Sequence, residues 1–248
     1  MSSIKLTTFI LLQVILEIFS FSVTGYATQK DNVVTDIPSY DNTIALSKEN
    51  YKFDDLSNLE IETERLVITP TNEKDLNKLA EYLLDKQVSQ YLDPTITDGF
   101  ETQEQALKFL KSDGSDEYSK ALEYTIKLKD SNIPIGKLDL MLSPNSLGKN
   151  SILSIGYWLG RDFQGKGYMS EACFKLFDKA FNASDVRSLY VACDVKNEKS
   201  SILADKIFDY IQKNSATKLF RNKCRDKDCC TFDGKEISFD YYSFILKK

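Results

Sequence analysis

The sequence has no histidine among its 248 residues, and that absence removes several chemistries at once. Ser-His and Cys-His nucleophile pairs, His-liganded zinc and an imidazole general base are all excluded. Carboxylates, hydroxyls, thiols or backbone amides must carry any reaction. An excess of positive charge is also missing: the formal net charge is −5, which gives no overall basic footprint for nucleic acid. A cationic or neutral small partner is easier to accommodate. Glycine and proline are few, whereas 42% of the chain is hydrophobic, enough to bury a full-sized core as one domain behind a lead-in. No second catalytic domain fits.

Residues 1–27 read as a targeting leader, with Lys5 in a short polar start, an apolar stretch over 6–23, and small-residue cleavage sites ending at Gly25 or Ala27. Gln13 and Glu17 interrupt the stretch, and an acid in the middle of a spanning helix costs roughly 2.5–3.5 kcal/mol. That disfavours a permanent anchor. Export is one expectation; a leader helix on a cytoplasmic protein is the other. Residues 28–58 are polar around single apolar residues and read as a linker, so the folded domain is expected over 59–248.

Within that domain, 61–68 reads as a strand, and Asn72 caps a helix whose apolar positions are Leu76, Leu79, Ala80, Leu83 and Leu84. Thr102 opens a second helical pattern through Ala106, Phe109 and Leu110. Two strand-like runs, 122–128 and 133–142, are joined by Asp130-Ser131-Asn132 as a hairpin. A further strand over 152–159 leads through a glycine-bearing loop into a helix over 168–181, with Met169, Ala172, Cys173, Leu176, Phe177, Ala180 and Phe181 on one face. Leu189, Val191, Cys193 and Val195 alternate as a strand, 200–210 is helical, and 237–246 closes the chain as a strand. The class is mixed α/β around one central sheet.

The strand-loop-helix stretch carries most of the functional information. Its loop is Gln164-Gly165-Lys166-Gly167-Tyr168-Met169. A glycine turn opening a helix leaves several backbone N–H groups unpaired and aimed at one point, where the helix dipole also favours an anion. A pyrophosphate suits that arrangement, because a Cβ in the turn would hold the backbone off the phosphate oxygens or forbid the dihedrals. Ordinary strand-to-helix turns also use glycine, so the motif alone leaves both readings open.

In its context, residues 155–172 resemble the RimJ/RimL-like branch of the GNAT acetyltransferases. The family pattern, Gln or Arg, two residues, Gly, one residue, Gly or Ala, falls on Gln164, Gly167 and Met169, and departs at the last. Glu62-Thr63-Glu64-Arg65-Leu66 is similar to the family's opening strand, and Ile135-Gly136 to its third. Asn197, Ser200 and Lys206-Ile207 are similar to the segment after the fifth, and Asp233-Gly234 with Asp240-Tyr241-Tyr242-Ser243 to the final hairpin. The resemblance implies a central mixed sheet of about six to seven strands flanked by helices. It further implies acetyl-CoA as co-substrate, no metal, and direct attack of an amine on the thioester.

By the same resemblance, Gln164, Gly165, Lys166, Gly167, Tyr168 and Met169 hold the pyrophosphate. Backbone at Ile155, Gly156 and Tyr157 takes the pantetheine and polarises the thioester carbonyl, which is oxyanion-type stabilisation. Asn197 and Ser200 then line the exit side. Many relatives carry a tyrosine proton donor seven residues after the Asn, where Ala204 stands; Ser200, Ser201 or a water must substitute. The glutamate of many members is replaced by Ser154, so Glu123 and Asp139, on adjacent strands, are the candidate bases, unless both are merely solvated. Glu171 matches the branch but also complements the helix dipole. The expected Gly-Phe after Ile207 is Phe208-Asp209, and Met169 either narrows the loop or packs on the sheet.

Cys173 and Cys193 fall on core faces and read as small buried hydrophobes. Cys224, Cys229 and Cys230 lie at and beyond a basic insertion over 221–228, where a bridge from Cys224 to Cys229 or Cys230, free thiols or a metal all remain open. Three cysteines without histidine make a poor zinc signature. The expected function is acetyl transfer to a primary amine on a protein N-terminus, a lysine or a small molecule. The alternative is a catalytically silent CoA-binding or interaction module, including an exported effector.

Overall fold

Eight strands form one sheet among the described residues, where the sequence suggests six or seven. The computed structural model describes residues 53–92, 99–111, 120–144, 151–180, 186–194, 196–214, 219–230 and 236–246. The leader, most of the linker, Phe181 and Val195 lie outside them. In chain order come β1 (Ile61–Glu62), β2 (Leu66–Pro70), α1 (Glu73–Leu83), α2 (Lys86–Ser89), α3 (Gln103–Leu110), β3 (Lys120–Leu128) and β4 (Pro134–Pro144). They are followed by β5 (Ser151–Leu159), α4 (Tyr168–Ala180), β6 (Val186–Asp194), α5 (Glu198–Asn214), β7 (Leu219–Cys230) and β8 (Glu236–Leu246). The strand order is β1-β2-β3-β4-β5-β6-β8-β7, antiparallel except for the parallel pair β5 and β6.

Both added strands have local causes. The run over 61–68 folds back on itself, pairing Ile61 with Ile68, because Thr63 Oγ1 accepts the Leu66 N–H at 2.9 Å and the Thr63 N–H donates to the Leu66 carbonyl. A side-chain turn of this kind needs neither glycine nor proline, so the hydrophobic pattern does not reveal it. The second is β7, which contains the whole stretch read as an insertion. Its register sets Cys224 opposite Tyr241 and Cys229 opposite Ile237, four β8 residues apart.

Side chains alternate across the sheet and build two cores. On one face α4 contributes Met169, Ala172, Cys173, Leu176, Phe177 and Ala180, and α5 contributes Leu203, Ala204, Ile207, Phe208 and Ile211. The same core takes Phe53 and Leu56 from a 3-10 turn at Phe53–Asn58, so the last residues of the polar stretch pack into the domain. Tyr124 fastens them by donating its hydroxyl to the Leu56 carbonyl at 2.5 Å. On the other face Leu76, Leu79, Ala80 and Leu83 of α1 meet Ala106 and Leu110 of α3 around Trp158. Leu84 does not join them: it stands at the α1 C-cap, 41% exposed. Asn72 caps α1, and Thr102 with Gln105 forms a capping box on α3. Helix α5 runs to Asn214, beyond the expected end at 210, and buries Phe208 and Ile211 along its second half.

Candidate active site

The parallel ladder between β5 and β6 stops early. Pairing runs from Ser151 and Val186 to Ser154 and Tyr190, although β5 continues to Leu159 and β6 to Asp194. Beyond Ser154 the strands part, while β5 stays paired with β4 on its other edge through Leu159. Alternate backbone groups of Ile155, Gly156 and Tyr157 therefore face a gap rather than a neighbouring strand. Across it stands the start of α5. Tyr157 Oη lies 2.9 Å from Ser200 Oγ, and Asn197 Oδ1 caps the helix by accepting the Ser200 N–H at 3.2 Å. Ser201 donates its N–H to the Asn197 carbonyl.

The loop after β5 is held in an open turn by two left-handed glycines, Gly165 at φ 75° and Gly167 at φ 80°. A Cβ on Gly165 would meet nothing within 4 Å. The first helical bond of α4 runs from the Glu171 N–H to the Gly167 carbonyl, which leaves the N–H groups of Tyr168, Met169 and Ser170 without an intrahelical partner. Met169 is 8% exposed and packs in the core, so it gives this loop only its backbone. Gln164 braces the turn: its amide donates to the Leu159 carbonyl at 3.0 Å, and its oxygen accepts from Lys199 Nζ at 3.1 Å. Unpaired N–H groups, two glycines and an adjacent strand gap fit the pyrophosphate and pantetheine of a CoA thioester.

Arg65, at the tip of the β1–β2 turn, closes the back of this loop. Its guanidinium bonds Glu171 Oε2 through Nε at 2.7 Å and the Lys166 carbonyl at 3.0 Å, and it stacks 4.6 Å from the Tyr168 ring centre. Glu171 also accepts from Thr63 Oγ1 at 2.5 Å and from the Arg65 N–H at 3.0 Å. Burial pushes the Glu171 carboxyl up, but these hydrogen bonds and the Arg65 charge outweigh it and hold the group below its usual range. Glu171 is therefore tied to β1 and β2 as well as placed to complement the helix dipole.

A polar patch lies on the α1–α3 face of the sheet. Glu123 and Asp139 face each other across β3 and β4, and Asp139 pairs in turn with Gly156. Lys137, whose side chain is only 4% exposed, lies 3.0 Å from Glu123 Oε2 and 3.3 Å from Asp139 Oδ1. The two carboxylates outweigh burial and hold the Lys137 ammonium above its ordinary value. Asp139 differs from Glu123 in that its buried Oδ1 has this longer ion pair but no well-formed hydrogen bond among the described residues. Burial, only partly offset by Lys137 and reinforced by Glu123, pushes the Asp139 carboxyl up to about 6. Gly156 keeps the space beside it open: a Cβ there would stand 3.8 Å from Asp139 Oδ2.

The fold thus brings Ile155, Gly156, Tyr157, Asn197 and Ser200 to one gap, and places the loop from Gln164 to Met169 at the C-terminal end of β5. Asp139 reaches the same strand from the opposite face, while Glu123 is committed to Lys137. Cys173 and Cys193 are buried, and burial raises the Cys173 thiol. No group of metal-ligating side chains occurs among the described residues. Sequence patterns do not single out Arg65, Lys137 or the Tyr157 hydroxyl. For Arg65 and Tyr157 the partners lie far along the chain, and only the Arg65 position in the opening-strand motif gives a signal.

Residues 65–207 match the family described as Acetyltransferase (GNAT) domain, more than half of the chain. A Bacillus subtilis (strain 168) protein, YdaF, whose name assigns it provisionally to the ribosomal N-acetyltransferases, is 36% identical over 114 residues. That match covers 46% of this chain and only 56% of the relative. The uncharacterized N-acetyltransferase YnaD of the same organism is 26% identical over 190 residues, 77% of this chain and 98% of its own. Among solved structures, a GNAT-family acetyltransferase from Bacillus anthracis superposes with a TM-score of 0.59 at 22% identity, over 77% of this chain and 100% of that one. RimL, the ribosomal L7/L12 α-N-protein acetyltransferase in complex with coenzyme A, gives 0.56 at 22% identity, over 76% and 98%. The open β5–β6 ladder, the glycine loop and these likenesses lead to one conclusion: the chain belongs to the GNAT acetyltransferase family.

Proposed function

We propose that this protein is an acetyl-CoA-dependent N-acetyltransferase whose acceptor is the primary amine at a protein N-terminus. The single observation that carries the reading is the parting of β5 from β6 directly ahead of the glycine loop, with a carboxyl of raised affinity for protons beside it. The N-terminal acceptor is favoured by what RimL is named for, and YdaF's name points to a ribosomal acceptor without specifying the amine; lysine and small amines are the other acceptors. When bound, acetyl-CoA supplies an acetyl group activated as a thioester. The N–H groups of the Gln164–Met169 loop hold the pyrophosphate, and Ile155, Gly156 and Tyr157 hold the pantetheine and the carbonyl oxygen through backbone.

Asp139 takes a proton from the incoming ammonium, for which a carboxyl titrating near 6 is matched to a neutral solution. Its Oδ1 is buried against Lys137, whereas its Oδ2 lies beside the open space at Gly156 and is the oxygen placed to accept from a donor. Glu123 acts through Lys137 and keeps that ammonium charged. As the N–C bond forms and C–S breaks, the nitrogen gives up its second proton to solvent. Ser200 Oγ would protonate the leaving thiolate and be replenished across 2.9 Å by Tyr157, which regains its own proton from solvent. Ser201 is held by the Asn197 cap one position further along α5. Met169 packs in the core instead of narrowing the loop, which removes one ground for a silent module. Thiol release from acetyl-CoA with N-terminal peptides, lysine peptides and polyamines tests the reading; a folded chain that binds CoA but acetylates none of them would overturn it.

A further inference from the structure

We infer that Arg65 is the positioning residue of the pyrophosphate loop: it fixes the orientation of one peptide plane so that the loop presents a donor instead of a carbonyl to the cofactor's phosphates. This rests on the acetyl-CoA reading and adds to it a residue more than 100 positions away from the loop's helix, as its bonds to Glu171 show. The geometry is specific. Arg65 binds the carbonyl of Lys166 at 3.0 Å, and the peptide joining Lys166 to Gly167 is trans, as are all those described. In a trans peptide the C=O and the following N–H point in opposite directions across one plane. Holding the Lys166 carbonyl toward Arg65 therefore turns the Gly167 N–H to the other side of the loop, the side away from the guanidinium.

Without that hold the plane has a reason to flip. It joins Lys166 to Gly167, which stands at positive φ, and glycine crosses between such conformations with little steric penalty. A flipped plane would aim a carbonyl at the anion site. Arg65 opposes this from a rigid base, because the same guanidinium grips Glu171 through Nε at 2.7 Å and Nη2 at 2.6 Å, locking loop and helix start together. Thr63 and the Arg65 N–H complete the grip on Glu171, so the β1–β2 turn acts as a clamp on the start of α4. Lysine could not reproduce it, since a single ammonium cannot present a planar fork to a carboxylate and a carbonyl together.

The test compares Arg65→Ala, Arg65→Lys and Glu171→Gln with the wild-type full-length chain, using acetyl-CoA and acetyl-pantetheine, a thioester that lacks the pyrophosphate. Arg65→Ala should raise KM for acetyl-CoA about tenfold or more with kcat at saturation retained, and should weaken calorimetric binding of CoA equally. With acetyl-pantetheine it should match wild type. Arg65→Lys should not rescue, and Glu171→Gln should give a smaller change of the same selectivity. Unchanged CoA binding in Arg65→Ala would overturn the clamp, as would an equal loss with both thioesters, which marks a general structural role. A wild-type chain that binds no CoA would instead remove the cofactor site itself, and this inference with it.

Discussion

Replacing Asp139 by asparagine separates what this carboxyl does for the reaction from what it costs the fold. The carboxyl has an ordinary value of 3.8 and is pushed up to about 6 by burial, so the folded chain holds its proton more tightly than the unfolded chain does. Stability linked to this group is therefore greatest below pH 4, falls as the pH rises between 4 and 6, and stays low above that. A shift of about two units corresponds to about 3 kcal/mol at most. The side chain is 36% exposed, however, and screening by solvent reduces that to roughly 1–2 kcal/mol. Neutral asparagine is nearly isosteric with the protonated acid, and Lys137 retains Glu123 at 3.0 Å. Asp139→Asn should thus be as stable as wild type at pH 4 and more stable by about 1–2 kcal/mol at pH 8, measured by urea denaturation at each pH. The same change should lower kcat/KM by about 10²–10⁴ and abolish a rising limb centred near pH 6 in the wild-type profile. Parallel stability curves at both pH values would refute the buried-carboxyl argument, and an active Asp139→Asn enzyme with an unaltered profile would refute the role of this carboxyl as base.

Gly167→Leu should lose CoA affinity by about 2–4 kcal/mol, read by calorimetry, because φ 80° is strained for leucine and a Cβ already stands 3.4 Å from Arg65. Gly165→Ala should bear only the dihedral strain, about 1–2 kcal/mol of stability, since its Cβ meets nothing. Met169→Ala should lose about 2–5 kcal/mol of stability with the CoA dissociation constant unchanged; a tenfold tighter complex would show the side chain obstructs the loop. Tyr157→Phe and Ser200→Ala should each lower kcat by roughly 10²-fold while CoA still binds, and wild-type turnover in both would exclude the hydroxyl pair as proton donor.

Periodicity and capping residues determined much of this protein by themselves. The apolar stripe from Met169 to Ala180 predicts the buried face of α4, Asn72 and Thr102 mark helix starts, and the Asp130–Asn132 turn marks the β3–β4 hairpin. These are local signals, decided within one or two turns of chain. The glycine loop is legible for the same reason, since left-handed dihedrals at Gly165 and Gly167 are a property of those residues. What the sequence does not reveal depends on hydrogen bonds and on partners distant along the chain. The break at Thr63 to Leu66 follows from one side-chain hydrogen bond, which leaves no mark in the apolar pattern. Strand β7 reads as a polar insertion because pairing with β8, not apolar content, makes it a strand. Tertiary structure alone distinguished Asp139 from Glu123: both are carboxylates on neighbouring strands, but Lys137 engages Glu123 more closely and leaves a buried oxygen of Asp139 without a well-formed hydrogen bond beside Gly156. It alone also brought Arg65 onto the Lys166 carbonyl and Tyr157 onto Ser200, because contacts between residues 43 to 106 positions apart are set by how sheet and helices pack, not by any pattern a single segment carries.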